Sequence, residues 1–94
     1  MSLTMGELRF IDESTNTWKM DIKRKAAKMG IEELSPGTID RMFELAGDYK
    51  AAFCEFYEKA KEAGDERDNP ALQAAFNEQY QREHPEFFDF NDFT

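Results

Sequence analysis

The sequence predicts an all-α fold, a small three-helix bundle organised around one long central helix. Apolar residues recur at alternating steps of three and four through residues 35–64, which places them along one side of a helix. A capping residue precedes proline at 35–36 and again at 69–70, a pattern typical of helix starts. The apolar stretch at residues 8–11 is too short to predict a strand.

The long helix is predicted at residues 36–63. Ser35 suits the N-cap position and Pro36 the first helical position, with Thr38 as the competing cap. The apolar stripe consists of Ile39, Met42, Ala46, Tyr49, Phe53, Phe56, Ala60 and Ala63. Gly47 is the weak point, because glycine costs about 1 kcal/mol relative to alanine in a helix interior. A break at Gly47 would give four helices instead of three.

A shorter amphipathic helix is predicted near residues 16–29, with Gly30 as its left-handed C-terminal cap. Its apolar positions are Trp18, Ile22, Ala26 and Met29. Residues 1–15 are predicted to form a loosely structured aromatic arm. Within that arm, Phe10 and Ile11 are expected to cover one end of the core.

A third helix is predicted near residues 70–83. Asn69 supplies the cap before Pro70, and Pro85 disfavours helical geometry at the residue before it. Its apolar positions are Leu72, Ala75, Phe76 and Tyr80.

The last nine residues, 86–94, form an acidic segment that carries four phenylalanines. One interpretation is that this tail folds back into the groove between the second and third helices, with Phe87 and Phe88 inside. The other is that the tail is an exposed ligand that docks its aromatic rings into a partner.

Length and composition bound the class of protein. Ninety-four residues predict a single domain, and 40% hydrophobic with 34% charged residues is a foldable composition. No apolar run approaches the roughly 20 residues needed to cross a bilayer, so no membrane partner is expected. The only cysteine, Cys54, has no second cysteine to pair with, which favours a reducing compartment and a cytoplasmic location.

Charge is distributed unevenly along the chain. The net charge of −8 argues against direct nucleic-acid binding, since phosphate contacts need positive surface. Residues 19–28 nevertheless carry +4, from five cations and one aspartate. A possible anion-binding set lies in this segment: Lys19, Lys23, Arg24 and Lys28. The simpler interpretation is that these side chains form the solvated side of an amphipathic helix.

No pattern in the sequence predicts catalysis, a cofactor or a metal. His84 is the only histidine, and with a single cysteine it cannot supply the ligands of a zinc site. The carboxylates of the long helix fall on its outer flanks and are interpreted as solvated side chains. Cys54 lies in the middle of a helix near glutamates, where the thiolate is disfavoured.

The composition therefore predicts a non-enzymatic, acidic protein-binding module, an adaptor or inhibitor that acts on a basic partner protein. The expected partner-binding residues are Glu55, Glu58, Glu62, Phe87, Phe88, Asp89, Phe90, Asp92 and Phe93. The chain is expected to be a monomer or a homodimer, the latter through a seam formed by the apolar stripe.

Two alternatives stay open. One is a nucleic-acid mimic that inhibits a nucleic-acid-binding enzyme, since the chain is similar in size and charge to phage-encoded anti-CRISPR and anti-restriction inhibitors. The other is a binder of small anionic ligands or nucleotides that uses the basic segment 19–28.

Overall fold

The architecture is all-α, as predicted. A computed structural model describes residues 2–91 and 93, and no strand occurs among them. The helices are α1 (Met5–Lys28), α2 (Pro36–Glu62), α3 (Asn69–Glu83) and the single-turn α4 (Pro85–Phe88). Helices α1 and α2 run antiparallel, as shown by the ion pair between Asp12 and Lys50 at 2.8 Å and that between Glu7 and Lys61 at 2.8 Å.

Helix α1 begins at Met5, so the prediction of a loose arm over residues 1–15 and a helix start near Asn16 was wrong. The cause is a capping box. The Thr4 hydroxyl accepts from the Glu7 amide at 3.1 Å, and the Glu7 carboxylate accepts from the Thr4 amide at 2.7 Å. The Thr-x-x-Glu signature is present in the sequence and begins twelve residues before the predicted start at Asn16. The expectation that Ile11 belongs to the core is confirmed, because it is fully buried.

The end of α1 agrees with its predicted glycine cap. Gly30 has φ 82°, the left-handed conformation that glycine adopts without steric cost. The Gly30 amide donates to the Ala27 carbonyl and the Ile31 amide to the Ala26 carbonyl, both at 3.0 Å, which together form a Schellman motif. Met29, predicted on the apolar side, is instead the exposed C-cap.

Helix α2 is continuous through Gly47. The break that would have divided the long helix into two is therefore absent, and the number of long helices is three. Ser35 is the N-cap and its hydroxyl accepts from the Thr38 amide at 3.2 Å, whereas Thr38, the competing cap, is buried inside the helix. Most of the predicted stripe is buried, but Ala63 is exposed. Tyr57, which was not predicted as part of the stripe, is fully buried. The stripe is therefore covered within one chain, and little of it is left to form a dimer seam.

Helix α3 begins one residue earlier than predicted. Asp68 is its N-cap and accepts from the Ala71 amide at 2.9 Å. Asn69, the predicted cap, uses its side-chain oxygen to accept a hydrogen bond from the Tyr57 hydroxyl. This bond ties the start of α3 to α2, and the predicted end at Glu83 is confirmed.

The C-terminal tail is part of the core. Phe87 lies between Trp18 of α1, at 4.2 Å between ring centroids, and Tyr49 of α2, at 4.3 Å, with both pairs stacked. Phe90 and Phe93 are also buried, and Phe88 is half-buried. The Phe87 carbonyl accepts from the Trp18 indole at 2.8 Å, and the Phe90 carbonyl accepts from the Lys25 ammonium at 3.0 Å.

The tail thus packs on all three long helices, because Phe87 stacks on Trp18 and Tyr49 and also meets the edge of the Tyr80 ring of α3 at 5.8 Å. That location follows from Trp18, whose ring and indole N–H give the tail a stacking surface and a hydrogen-bond donor at one place. Part of the surface between α2 and α3 consequently remains open.

Candidate functional site

An open groove lies between α2 and α3, and Glu55 of the predicted acidic face is one of its lining residues. It has a volume of about 530 Å³ and is called the α2–α3 groove. Its apolar floor consists of Ala52, Phe56, Ala60, Phe76 and Tyr80. Its polar rim includes Glu55, Lys59, Arg67, Gln79, Glu83 and His84.

The floor of the groove is held by stacked aromatic rings. Phe53 lies in the core beneath the floor, and its ring stacks on that of Phe76 at 4.7 Å between centroids. Phe56, one turn further along α2, contacts Phe76 at 5.4 Å and is only half-buried. The predicted stripe therefore has an interior part and, at Phe56, a part that faces the groove.

Ion pairs neutralise one end of the rim. The Lys59 ammonium lies 3.0 Å from the Glu55 carboxylate, and the Arg67 guanidinium lies 2.6 Å from the Asp65 carboxylate. The hydrogen bonds from Arg67 lower the pKa of the Asp65 carboxyl below its ordinary range. The Glu55 and Lys59 side chains remain mostly exposed, at 67% and 73%, so that pair exchanges readily with a competing charge.

The other end of the rim is acidic and surrounds Tyr80. Burial raises the pKa of the Tyr80 phenol, and the nearby carboxylates of Asp48, Glu86 and Glu83 raise it further. His84 packs on the Tyr80 ring at 4.3 Å between centroids, and its Nδ1 lies 3.4 Å from the Glu86 carboxylate, an ion pair when the imidazole is protonated. Of these carboxylates only Glu83 lines the groove, whereas Asp48 of α2 and Glu86 of α4 act on Tyr80 from outside its lining.

The predicted acidic face divides between the groove and the outer surface of α2. Glu55 lines the groove, whereas Glu58 and Glu62 are exposed on α2 and are not part of its lining. The structure therefore brings only one of these three residues to the α2–α3 groove.

The predicted aromatic ligand is mostly occupied inside the protein. Phe87, Phe90 and Phe93 are buried, so their rings are not presented on the surface. Phe88 is half-buried and Asp89 is exposed. Asp92, the remaining predicted partner-binding residue of the tail, lies outside the described residues.

The predicted anion-binding set is spread over α1. Arg24 is paired with Asp21 at 3.1 Å, and Lys28 is exposed near the helix end. The Lys19 ammonium lies over the Phe43 ring, 5.0 Å from its centroid, and Lys23 lines a second cavity between α1 and α2. Of the predicted set, Lys23 lines this cavity, whereas Lys19, Arg24 and Lys28 are not among its lining residues.

Cys54 is half-buried and unpaired with another cysteine. Burial raises the pKa of its thiol, and the Glu58 carboxylate adds to that rise. The prediction that the thiolate is disfavoured agrees with this direction.

No group of three or more histidine, cysteine, aspartate or glutamate side chains among residues 2–91 and 93 could hold a metal ion. None of the helices formed by those residues is long and apolar enough to cross a membrane.

The residues of α3 that line the groove were not among the partner-binding residues predicted from the sequence. Phe76, Gln79, Tyr80 and Glu83 lie at steps of three and four, which puts them on one face of α3. That spacing is visible in the sequence and could have identified the wall. The contribution of Arg67, from the connection before α3, had no such signal.

No protein-family model, curated protein or solved structure matches this chain.

Proposed function

We propose that the protein is an acidic, non-enzymatic binding module, an adaptor or inhibitor, that takes a basic segment of a partner protein in the α2–α3 groove. The observation that carries the proposal is the open apolar floor at Phe56 between two rim carboxylates, Glu55 of α2 and Glu83 of α3. A protein segment with an apolar side chain beside lysine or arginine complements both features.

The apolar part of the interaction falls on Phe56 and Ala52, which are half-buried in the unbound protein. An apolar partner side chain placed there removes the remaining exposed surface of the Phe56 ring from water, which is favourable at about 25 cal/mol per Å². The volume of about 530 Å³ accommodates one large side chain and its neighbours.

The charged part falls on the Tyr80 end of the groove. Glu83 lines that end of the groove, and a cation bound beside it is also attracted by the more distant carboxylates of Asp48 and Glu86, which together with Glu83 raise the pKa of Tyr80. The overall charge of −8 additionally draws a basic partner toward the protein at low ionic strength.

The burial of the tail supports the groove as the docking surface over the alternative of an exposed aromatic ligand. Phe87, Phe90 and Phe93 are in the core, and using them to bind a partner requires separating them from Trp18 and Tyr49. The groove needs no such rearrangement.

The proposal is tested by affinity capture from a lysate of cells that make the protein, with three baits. The first is the natural chain, and the second carries Glu55→Lys and Glu83→Lys, which reverse the charge of two groove carboxylates. The third carries Glu13→Lys and Glu33→Lys, which change the net charge equally at exposed positions that do not line the groove. Circular dichroism of each bait is the control that verifies its folding.

We expect a protein retained by the natural and third baits and lost from the second, with retention that weakens as salt is added. Equal loss from the second and third baits would show that net charge alone attracts the partner. Equal retention by all three would place the docking surface elsewhere.

A further inference from the structure

The single histidine of the chain lies where α3, α4 and the α2–α3 groove meet. His84 follows the last residue of α3 and precedes Pro85, the first residue of α4, and it is one of the lining residues of the groove. Its side chain is 45% exposed. Both water and a segment bound in the groove can therefore reach the imidazole.

The imidazole has an aromatic ring and carboxylates as neighbours. It lies on the Tyr80 ring, 4.3 Å between centroids, and its Nδ1 is 3.4 Å from the Glu86 carboxylate. Glu83, the preceding residue, lines the groove, and together with Asp48 and Glu86 it acts on the Tyr80 phenol. A positive charge on His84 is thus added to a part of the surface that carries negative charge.

His84 is the group of the groove suited to change its charge near neutral pH, since histidine is the residue type that titrates between about pH 5 and 8. Two other titratable groups of the lining lie further from this range. Hydrogen bonds from Arg67 lower the pKa of the Asp65 carboxyl, and burial raises the pKa of the Tyr80 phenol. The remaining charged residues of the lining are Glu55, Lys59, Arg67 and Glu83.

We propose that His84 regulates the α2–α3 groove, so that protonation of its imidazole weakens the binding of a basic segment. This inference rests on the function proposed above. The imidazolium adds a positive charge beside Glu83, the carboxylate that lines this end of the groove, and it forms an ion pair with Glu86. A lysine or arginine of the segment then meets less net negative charge than it does beside the neutral imidazole.

The test uses the capped peptide acetyl-Arg-Leu-Arg-amide as a model of a basic segment, with acetyl-Glu-Leu-Glu-amide as the matched peptide of opposite charge. NMR of the ¹⁵N-labelled full chain follows binding at about pH 7.5 and about pH 5.5. We expect the basic peptide to cause saturable shifts at residues 52–60 and 76–84. Its binding should be about threefold weaker at the lower pH, the size expected for charges at exposed positions. The acidic peptide should bind more weakly than the basic one at the higher pH.

Two substitutions fix the charge that the natural side chain changes. His84→Gln stays neutral and should bind the basic peptide at both pH values as tightly as the natural chain does at the higher pH. His84→Lys stays positively charged and should bind it at both pH values as weakly as the natural chain does at the lower pH. Circular dichroism at each pH is the control for folding.

The outcomes distinguish this inference from the function on which it rests. Basic-peptide binding that is equal at the two pH values, or that changes with pH as much in His84→Gln as in the natural chain, would overturn the role of His84 and leave the groove as the docking surface. The absence of saturable shifts at residues 52–60 and 76–84 at both pH values would count against the groove itself, and both proposals would then fail.

Discussion

At the scale of single residues, Phe87 is a buried side chain that joins the C-terminal tail to the three long helices. Its ring is stacked between Trp18 and Tyr49 and meets the edge of Tyr80 at 5.8 Å, so it contacts one aromatic ring from each of the three long helices. A ring in this position does more than cover apolar surface, because aromatic pairs add about 0.5 to 1.5 kcal/mol beyond the area they bury.

Phe87→Ala should lower the free energy of unfolding by about 3 to 5 kcal/mol, since it removes a buried ring and leaves a cavity. Urea denaturation followed by circular dichroism measures the change. Phe43→Ala is the matched control, because 55% of Phe43 is exposed, and it should cost less than about 1 kcal/mol. Equal costs for the two substitutions would mean that the tail is not packed in solution.

Glu7 combines a helix cap with a long-range ion pair. Its carboxylate accepts from the Thr4 amide and lies 2.8 Å from the Lys61 ammonium, and only 19% of the Glu7 side chain is exposed. The hydrogen bond from Lys61, followed by that from the Thr4 amide, lowers the pKa of the Glu7 carboxyl below its ordinary value of 4.5. The ionised form is therefore favoured in the folded protein.

Because the folded pKa is depressed, the stabilisation by Glu7 is fully present above pH 4.5 and is lost as the pH falls through the lower folded value. Glu7→Gln should thus lower the free energy of unfolding at pH 7 by about 1 kcal/mol. The difference from the natural chain should narrow as the pH is lowered below 4.5. Urea denaturation at several pH values measures this, and a pH-independent difference would argue against the pair.

At the scale of helices, α2 is continuous although it contains Gly47, a residue that disfavours the helix interior. Gly47 is exposed, and a Cβ atom added to it would meet nothing within 4 Å. No close approach of another backbone requires glycine at this position. The helix is continuous because the residues around Gly47, including Leu45, Ala46 and Tyr49, are buried against neighbouring elements.

Gly47→Ala should therefore stabilise the protein by about 0.5 to 1 kcal/mol, because alanine restricts the unfolded chain and adds no clash. Gly30→Ala is the informative contrast, since Gly30 has φ 82° and alanine there should cost about 1 to 2 kcal/mol. Thermal denaturation compares them. A destabilising Gly47→Ala would indicate that α2 bends or opens at that residue.

Removal of residues 86–94 tests the tail as a structural element. The Trp18 indole loses its stacking partner Phe87, its edge contact with Phe90 at 5.8 Å and its hydrogen-bond acceptor. The shortened chain should unfold at lower urea concentration, and its tryptophan emission should shift to the red as the indole meets water. Unchanged stability and emission would identify the tail as an exposed ligand instead.

The elements were predictable to the extent that local chemistry determines them. Ser35 with Pro36, the glycine caps and Pro85 act within a few residues, so the bounds of α2 and the ends of α1 and α3 could be read from the sequence. The start of α1 is equally local, in the capping box of Thr4 and Glu7, but residues 13–17 offer a second group of capping side chains, and these lie inside α1.

At the scale of the whole molecule, the candidate site depends on how α3 and the tail share the surface of α2. The periodicity of Phe87, Phe88 and Phe90 does not specify which helices they cover, because that depends on the position of Trp18 in three dimensions. Glu55 could be nominated from the sequence, but its neighbours Glu83 and Arg67 are brought to it only by the packing of α3. The groove itself could not be predicted from the local pattern of any single helix, because its two walls belong to α2 and α3.

The nucleic-acid-mimic hypothesis stays a prediction at this scale. It requires the exposed carboxylates of α2, such as Glu58 and Glu62, to carry the interaction rather than the groove. Glu58→Gln with Glu62→Gln should leave partner binding within about threefold of the natural chain if the groove is the docking surface, because exposed charges contribute little individually. A larger loss, together with competition by DNA or RNA, would favour the mimic.

The central claim is that partners dock in the α2–α3 groove while the aromatic tail remains in the core. The most direct measurement is an NMR footprint of the ¹⁵N-labelled chain as the captured partner is added. We expect shifts concentrated at residues 52–60 and 76–84, with the Trp18 indole signal unchanged. Shifts concentrated at residues 85–91 together with a moved Trp18 indole signal would show that the tail leaves the core to bind, and would contradict the claim.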